Sequence, residues 1–364
     1  MCNPNVTRFF IGTDSGLGFY SYLDAFYDGK TMRKVFLLKG GAGNGKSTLM
    51  KKLARAAAEK GLHTEQIFCA SDPMSLDAVL IPETQTAVID ATPPHVREIG
   101  CHGAPERYIS LSELVDLDAI RCQSEKLREL SGAVRNCHAE ACKRLAAARS
   151  ASDTAFGLIL DGVDTARLAR RGEALARRYL PKRSKRVPSI ARKRFLAAFT
   201  PGGTTAFAET PTMLCGGAEN AVCVALQDRF GLSPFVLAPL LEALERGGWE
   251  VYACYAPLTP SCLTAVIAPE LSLIAAVDTH GIFADCSNVR NLRLNDAVAP
   301  DVLRQHRTRL RMLRHTQIAL ETDACNCLTE ALQFHDSLEA AYLPHLDRSG
   351  LDRVAEKLIE ECIG

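Results

Sequence analysis

"KGGAGNGKST", residues 39–48, is preceded by "RKVFLLKG", residues 33–40. The short apolar run ending in glycine predicts a buried strand that feeds a turn. Gly40 then opens a G-x-x-x-x-G-K-S pattern that Gly45, Lys46 and Ser47 complete. In the following "KSTLMKKLARAAAEKG", Leu49, Leu53 and Ala57 recur at four-residue spacing and Gly61 stands where a helix would end. Strand, loop and helix come in the order that a phosphate cradle requires. Glycines let several backbone N–H groups converge on phosphate oxygens, and the helix N-terminus adds favourable partial charge. The expected cradle is Gly40, Gly41, Ala42, Gly43, Asn44, Gly45, Lys46, Ser47 and Thr48, holding ATP or GTP. Lys46 would reach the β- and γ-phosphates and Ser47 would ligate Mg2+.

A second metal-side oxygen is expected at the end of a neighbouring strand. "TQTAVIDATPPH", residues 84–95, supplies small and apolar residues ending at Asp90. Asp90 is the candidate magnesium-side carboxylate; an aspartate capping an ordinary strand end is the plainer alternative. Ala91 follows it, where many ATP-hydrolysing machines carry a water-polarising glutamate. Between the two motifs, "EQIFCASDPMSLDAV" places Asp72 after a strand-like run, with Asp77 close behind. Ligands of open α/β sheets gather at such carboxyl ends, so Asp72 is a catalytic candidate beside Lys46 and Asp90. Ser71-Asp72-Pro73 also reads as a helix start. His95, Arg97 and Arg107 are weaker candidates for facing a transferring phosphoryl group.

The 364 residues suit two domains better than one, and 47% apolar with 23% charged residues describes a globular chain. Lys and Arg number 43 against 42 Asp and Glu, so there is no global field to draw nucleic acid or an anionic membrane. The first residues carry no basic stretch followed by an apolar run, and no window is long enough for a membrane helix, so a cytoplasmic location is expected. The 14 cysteines, from Cys2 to Cys362, show no zinc-ligand spacing. Even Cys325 and Cys327 sit two apart in a helical-looking run, on different faces, and free thiols are expected throughout.

The chain repeats itself. "CGGAENAVCV", residues 215–224, aligns with residues 39–48 at an offset of 176 (Lys39 to Cys215), and Pro82 matches Pro269 at 187. The difference points to an insertion around "DRFGLSPFVLAP", residues 228–239. "FFIGTDSGLGFYS" is echoed by "FLAAFTPGGTTAF", and "DTARLARRGEAL" by "DRSGLDRVAEKL" at an offset of 183 (Asp164 to Asp347). Matched blocks in one order and at nearly one period mark a tandem duplication. The expected fold is α/β: two P-loop NTPase-like units, each a mostly parallel sheet with helices on both faces followed by a helical segment (residues 111–178 and 299–362). The expected boundaries are residues 1–180, a basic linker at 181–194, and residues 195–364. Arg167, Arg170, Arg171, Arg177 and Arg178 read as a solvated helix face, with a phosphate lid as the alternative. In this alignment Gly43, Gly45, Lys46 and Ser47 become Glu219, Ala221, Val222 and Cys223, and Asp278 falls near the place of Asp90. Such a loop lacks phosphate countercharge and a hard magnesium ligand.

"FFIGTDSGLGFYS", "KGGAGNGKSTLMKKL", "CASDPMSLDAVLIPE" and "VIDATPPH" together resemble a poorly characterised family of bacterial tandem P-loop proteins, labelled only as ATPase or nucleotide-kinase-like. Its members tend to have glycine after the strand aspartate, where Ala91 stands here. The resemblance implies nucleotide binding and hydrolysis without fixing a substrate. The expectation is slow, magnesium-dependent hydrolysis by the first unit, with the second packed on it as an intramolecular pseudo-dimer in a structural or regulatory role. A small-molecule or nucleotide kinase and a non-catalytic ATP-sensing scaffold are the alternatives.

Overall fold

The computed structural model describes residues 5–27, 29, 31–99, 105–181 and 187–364. The first half runs β1 (Val6–Phe10), the hairpin β2 (Gly12–Ser15) and β3 (Gly18–Ser21), β4 (Lys34–Lys39), α1 (Lys46–Glu59), β5 (Thr64–Phe68), β6 (Leu76–Ile81), β7 (Thr86–Asp90) and β8 (Glu106–Ser110). It continues with the one-turn α2 (Leu117–Ile120), the long α3 (Ser124–Ile159) and α4 (Thr165–Tyr179). The second half runs β9 (Arg192–Arg194), the hairpin β10 (Ala197–Thr200) and β11 (Gly203–Ala206), the short α5 (Thr210–Leu214), β12 (Val222–Gln227), α6 (Ser233–Arg246), β13 (Tyr252–Tyr255), β14 (Leu263–Ala268), β15 (Leu273–Val277) and β16 (Val289–Arg293). It ends with α7 (Pro300–Tyr342) and α8 (Arg348–Ile363).

Each half builds one six-stranded, mostly parallel sheet, in the orders β1-β5-β6-β7-β4-β8 and β9-β13-β14-β15-β12-β16. The two orders correspond strand for strand. In each, one strand (β6 or β14) runs antiparallel to both neighbours.

The sheets do not have helices on both faces. Residues of a strand alternate between faces, and all four central residues of β4 are buried. Val35 and Leu37 pack in a core shared with Cys223, Ala225, Ile267 and Phe195 of the second half. Phe36 and Leu38 pack on Leu49 and Leu53 of α1 and Leu351 and Leu358 of α8. The two sheets therefore face each other, and helices cover only their outer faces. An apolar run such as "VFLL" meets a helix or a second sheet equally well, so the pattern alone does not choose between them.

The halves exchange their last helices. Leu168 and Leu175 of α4 lie in the core of the second half with Val236, Leu240 and Leu244 of α6, while α8 covers α1 of the first. Asp164 and Asp347 cap these helices in the same way, accepting from the amides of Arg167 and Gly350. The exchange is tied by backbone bridges of Val115 with Leu346 and of Val163 with Val298. A reciprocal pair of bonds between Phe10 and Phe195, both 2.9 Å, joins β1 to the residue after β9. Between these points α3 and α7 pack antiparallel through Ala141, Leu145 and Ala148 against Ala324, Cys325 and Leu328.

The register of the repeat differs from the sequence alignment. β12 takes the place of β4 in the sheet, so Lys34 corresponds to Val222 and the loop before α6, residues 228–232, corresponds to the glycine-rich loop before α1. "CGGAENAVCV" is instead the turn leading into β12, with Val222 and Cys223 inside the strand. Gly216 and Gly217 sit at φ 77° and 110°, so backbone geometry in that turn explains the paired glycines. No insertion at residues 228–239 is needed. The helix-opening Lys46 corresponds to Ser233, the first residue of α6. Leu38 pairs with Asp90 and Leu226 with Val277, so Val277 holds the place of Asp90 and Asp278 lies one residue beyond it.

The basic linker is shorter than its composition suggests. Residues 182–186 lie outside the described residues, and Arg192–Arg194 form the edge strand β9. Arg194 is fully buried: its Nε donates to Glu65 Oε1 at 2.5 Å and its Nη2 to Phe26 O at 3.0 Å. This places a charged pair across the contact between the halves.

Candidate functional site

The loop at residues 40–45 leaves the carboxyl end of β4 and opens α1, as its sequence predicts. Gly45 is the residue before the helix, at φ 83°. A side chain there would be strained by that backbone angle, and its Cβ would also come within 2.4 Å of Leu351 Cδ2 on α8. Lys46 Nζ donates to the carbonyls of Gly40 and Gly41, both at 2.8 Å, and lies 3.7 Å from Asp90 Oδ2. Ser47 Oγ accepts from the Leu76 amide at 3.1 Å. Asp90 ends β7, next to β4, and its Oδ1 accepts from the Thr92 amide at 2.9 Å. Burial raises the Asp90 carboxyl above its ordinary value against the opposing charge of Lys46 and the Thr92 bonds.

Asp72 follows β5 at the same edge of the sheet. It does not start a helix: Oδ1 accepts from the Met74 amide at 3.0 Å and Oδ2 from Ser75 Oγ, holding a turn into β6. Asp72, Asp77, Asp90 and residues 42–48 line one cavity of about 580 Å³, within the range of small-molecule sites.

The weaker candidates stand elsewhere. His95 is buried with Nε2 3.0 Å from Asp77 Oδ2 and does not line the cavity. Burial lowers its pKa, but contact with Asp77 and the charges of Asp77 and Asp90 outweigh this and raise it. Arg97 pairs with Glu106 at 3.0 Å and stacks over Tyr27. Arg107 pairs with Glu361 and covers the Phe36 ring. Arg171 makes a bidentate pair with Asp296 at 2.8 and 3.0 Å and Arg167 reaches the same residue, while Arg177 pairs with Glu173 of its own helix; none of the α4 arginines lines the cavity.

Sequence reading missed the far wall of the cavity. His335 and Glu339 of α7 and Arg348, Leu351 and Asp352 of α8 come from the second half. Glu339 Oε1 accepts from the Gly43 amide, inside the loop. His138 of α3 also borders the cavity, and its Nδ1 lies 2.7 Å from Asp14 Oδ2. No local signal marks these residues, because their partners lie more than a hundred positions away. Aligning α3 and α4 with α7 and α8 through their shared bridges and caps, the first-half counterparts of His335, Glu339 and Arg348 are Ser152, Phe156 and Thr165. At these three places charged or titratable groups line the cavity, and uncharged ones stand at the corresponding places of the first half.

Ser47 and Asp90 are hard oxygen donors of the kind Mg2+ takes, and that ion keeps several water and phosphate ligands rather than an all-protein cage. Among the described residues no group of three or more His, Cys, Asp or Glu is arranged to hold a metal by itself. No helix among them is long and apolar enough to cross a membrane. Compared with models of known families, with curated proteins and with solved structures, the chain matches none.

Proposed function

We propose that the first half is a P-loop NTPase-like unit that binds one Mg-ATP or Mg-GTP and hydrolyses it slowly. In this reading the chain is a tandem duplication whose second half has lost the site and walls that of the first. The observation that carries it is the joining, at one cavity, of the loop at the start of α1, the Lys46 ammonium, the Ser47 hydroxyl and the strand-end carboxylate of Asp90. Loop amides and Lys46 would hold the β- and γ-phosphates, and Ser47 and Asp90 would hold Mg2+ and its waters. The ion would neutralise charge that develops on the phosphate oxygens. Buried Ala91 follows Asp90, so no carboxylate at that position polarises water, and slow turnover follows. In the second half the loop is Asp228, Arg229, Phe230, Gly231 and Leu232, and Ser233, Pro234 and Val277 replace Lys46, Ser47 and Asp90. Those three residues put no ammonium at the place of Lys46 and no side-chain oxygen at the places of Ser47 and Asp90.

Phosphate release by the full chain with Mg2+ and ATP or GTP tests the reading. Slow release that Lys46→Ala abolishes supports it, and undiminished release by a folded Lys46→Ala protein contradicts it. Release that requires an added metabolite pool would move the reading to phosphoryl transfer.

A further inference from the structure

No residue of the motif "FFIGTDSGLGFYS" lines the cavity, yet its Asp14 is 5% exposed and both carboxylate oxygens are engaged by one helix face. Oδ2 lies 2.7 Å from His138 Nδ1, and Oδ1 accepts from the Cys142 thiol at 3.3 Å, with His138 and Cys142 one helical turn apart on α3. Burial, and next the charge of Asp14, push the Cys142 thiol up to about 12, so it remains a donor. A buried carboxylate against Nδ1 fixes the ring orientation and favours the tautomer with the proton on Nδ1. That leaves Nε2 as an acceptor on a ring bordering the cavity that Lys46, Ser47, Asp72 and Asp90 share.

The pair is confined to the half with the intact loop. In the correspondence set by the hairpins and the paired helices, Asp14 becomes Phe199 and His138 becomes Glu321, while Cys142 remains Cys325. Phe199 packs against Ala324 and Cys325 in an apolar core. A pair needed only to fasten β2 to α3 would serve both halves equally. Here it is absent where the lysine, serine and strand-end aspartate are absent.

We propose that His138 is the proton acceptor for the water that attacks the terminal phosphate, with Asp14 as its positioning residue. The proposal rests on the nucleotide reading above. The water oxygen bonds to the γ-phosphorus as the bond from that phosphorus to the β,γ-bridging oxygen breaks. The nucleoside diphosphate leaves, and the water proton passes to Nε2 and then to solvent. With no carboxylate at position 91, this imidazole accounts for the slow turnover that the site keeps.

The test is nucleotide affinity and phosphate release by the full-length protein, in parallel for wild type, Lys46→Ala, His138→Ala and His138→Asn. Asparagine places an amide near the Nδ1 position and keeps a donor for Asp14 while removing Nε2, which guards against a folding defect in the alanine variant. The expected result for both His138 variants is unchanged affinity with turnover reduced about 100-fold, the lower end of general-base effects, and partial recovery by added imidazole in His138→Ala. In histidine-labelled protein, NMR should place the proton on Nδ1 of His138, and Asp14→Asn should abolish that preference. Wild-type turnover in His138→Asn, equal loss of affinity and turnover, or an Nε2 proton in the wild type would each overturn the assignment. Failure of Lys46→Ala to weaken binding would instead overturn the nucleotide reading beneath it.

Discussion

The Glu339 carboxylate accepts a hydrogen bond from the Gly43 amide at 3.1 Å, although the two residues lie in different halves of the chain. Amides of this loop are the groups that the proposed function assigns to phosphate oxygens. An anion from α7 therefore holds a donor that nucleotide would need, and nucleotide entry should displace it. Glu339→Gln removes the competing charge and keeps the side-chain length. The variant should bind Mg-ATP or Mg-GTP about tenfold more tightly, a change of about 1.4 kcal/mol, in a fluorescence titration. Unchanged or weaker binding would mean that Glu339 supports the loop and does not compete for it.

The exchange of helices makes each half incomplete alone. A chain ending at Pro181 would keep α4 without the α6 surface on which Leu168 and Leu175 are buried. It would also expose Phe36, Leu38 and Leu49, now covered by Leu351 and Leu358. Each such large side chain contributes roughly 1.5–3 kcal/mol when buried, so the loss is comparable to the whole margin of an ordinary domain, about 5–15 kcal/mol. The shortened chain should be insoluble or lack a cooperative thermal transition. A monomer melting like the full protein would contradict the exchange.

The pairing of His95 with Asp77 has a pH signature. The pKa of His95 is raised in the folded state, so its contribution to stability is complete below the ordinary value of 6.5 and is lost as pH rises through the raised value. The melting-temperature gap between wild type and His95→Gln should be widest near pH ~6 and narrow as pH rises above that ordinary value. A gap that stays constant or widens with pH would show that the ion pair is not the source.

How far the sequence carried this fold depends on the distance between interacting residues. The loop at residues 39–48 and Asp90 were legible because strand, turn and helix signals there are local, and both stand at one sheet edge beside Asp72 as expected. The two corresponding sheets were legible as a repeat, but its register was not. Paired glycines before β12 imitated the loop, while the true counterpart at residues 228–232 keeps a single glycine and no lysine. The face-to-face sheets stayed hidden because buried strands such as β4 are apolar on both faces. Asp14, His138 and Glu339 stayed hidden because single polar residues acquire meaning only from partners that the fold brings in from more than a hundred positions away. Arg194, read from composition as part of a basic linker, is buried against Glu65, 129 positions away.

In the proposed function one nucleotide binds each chain, at the loop before α1. Calorimetric titration of the full-length protein with Mg-ATP and Mg-GTP, alongside Lys46→Ala, measures this directly. The expected result is one site per chain for at least one of the two nucleotides, and no binding to a Lys46→Ala variant that remains folded. Two sites per chain, or a single site unaffected by loss of the Lys46 ammonium, would contradict it.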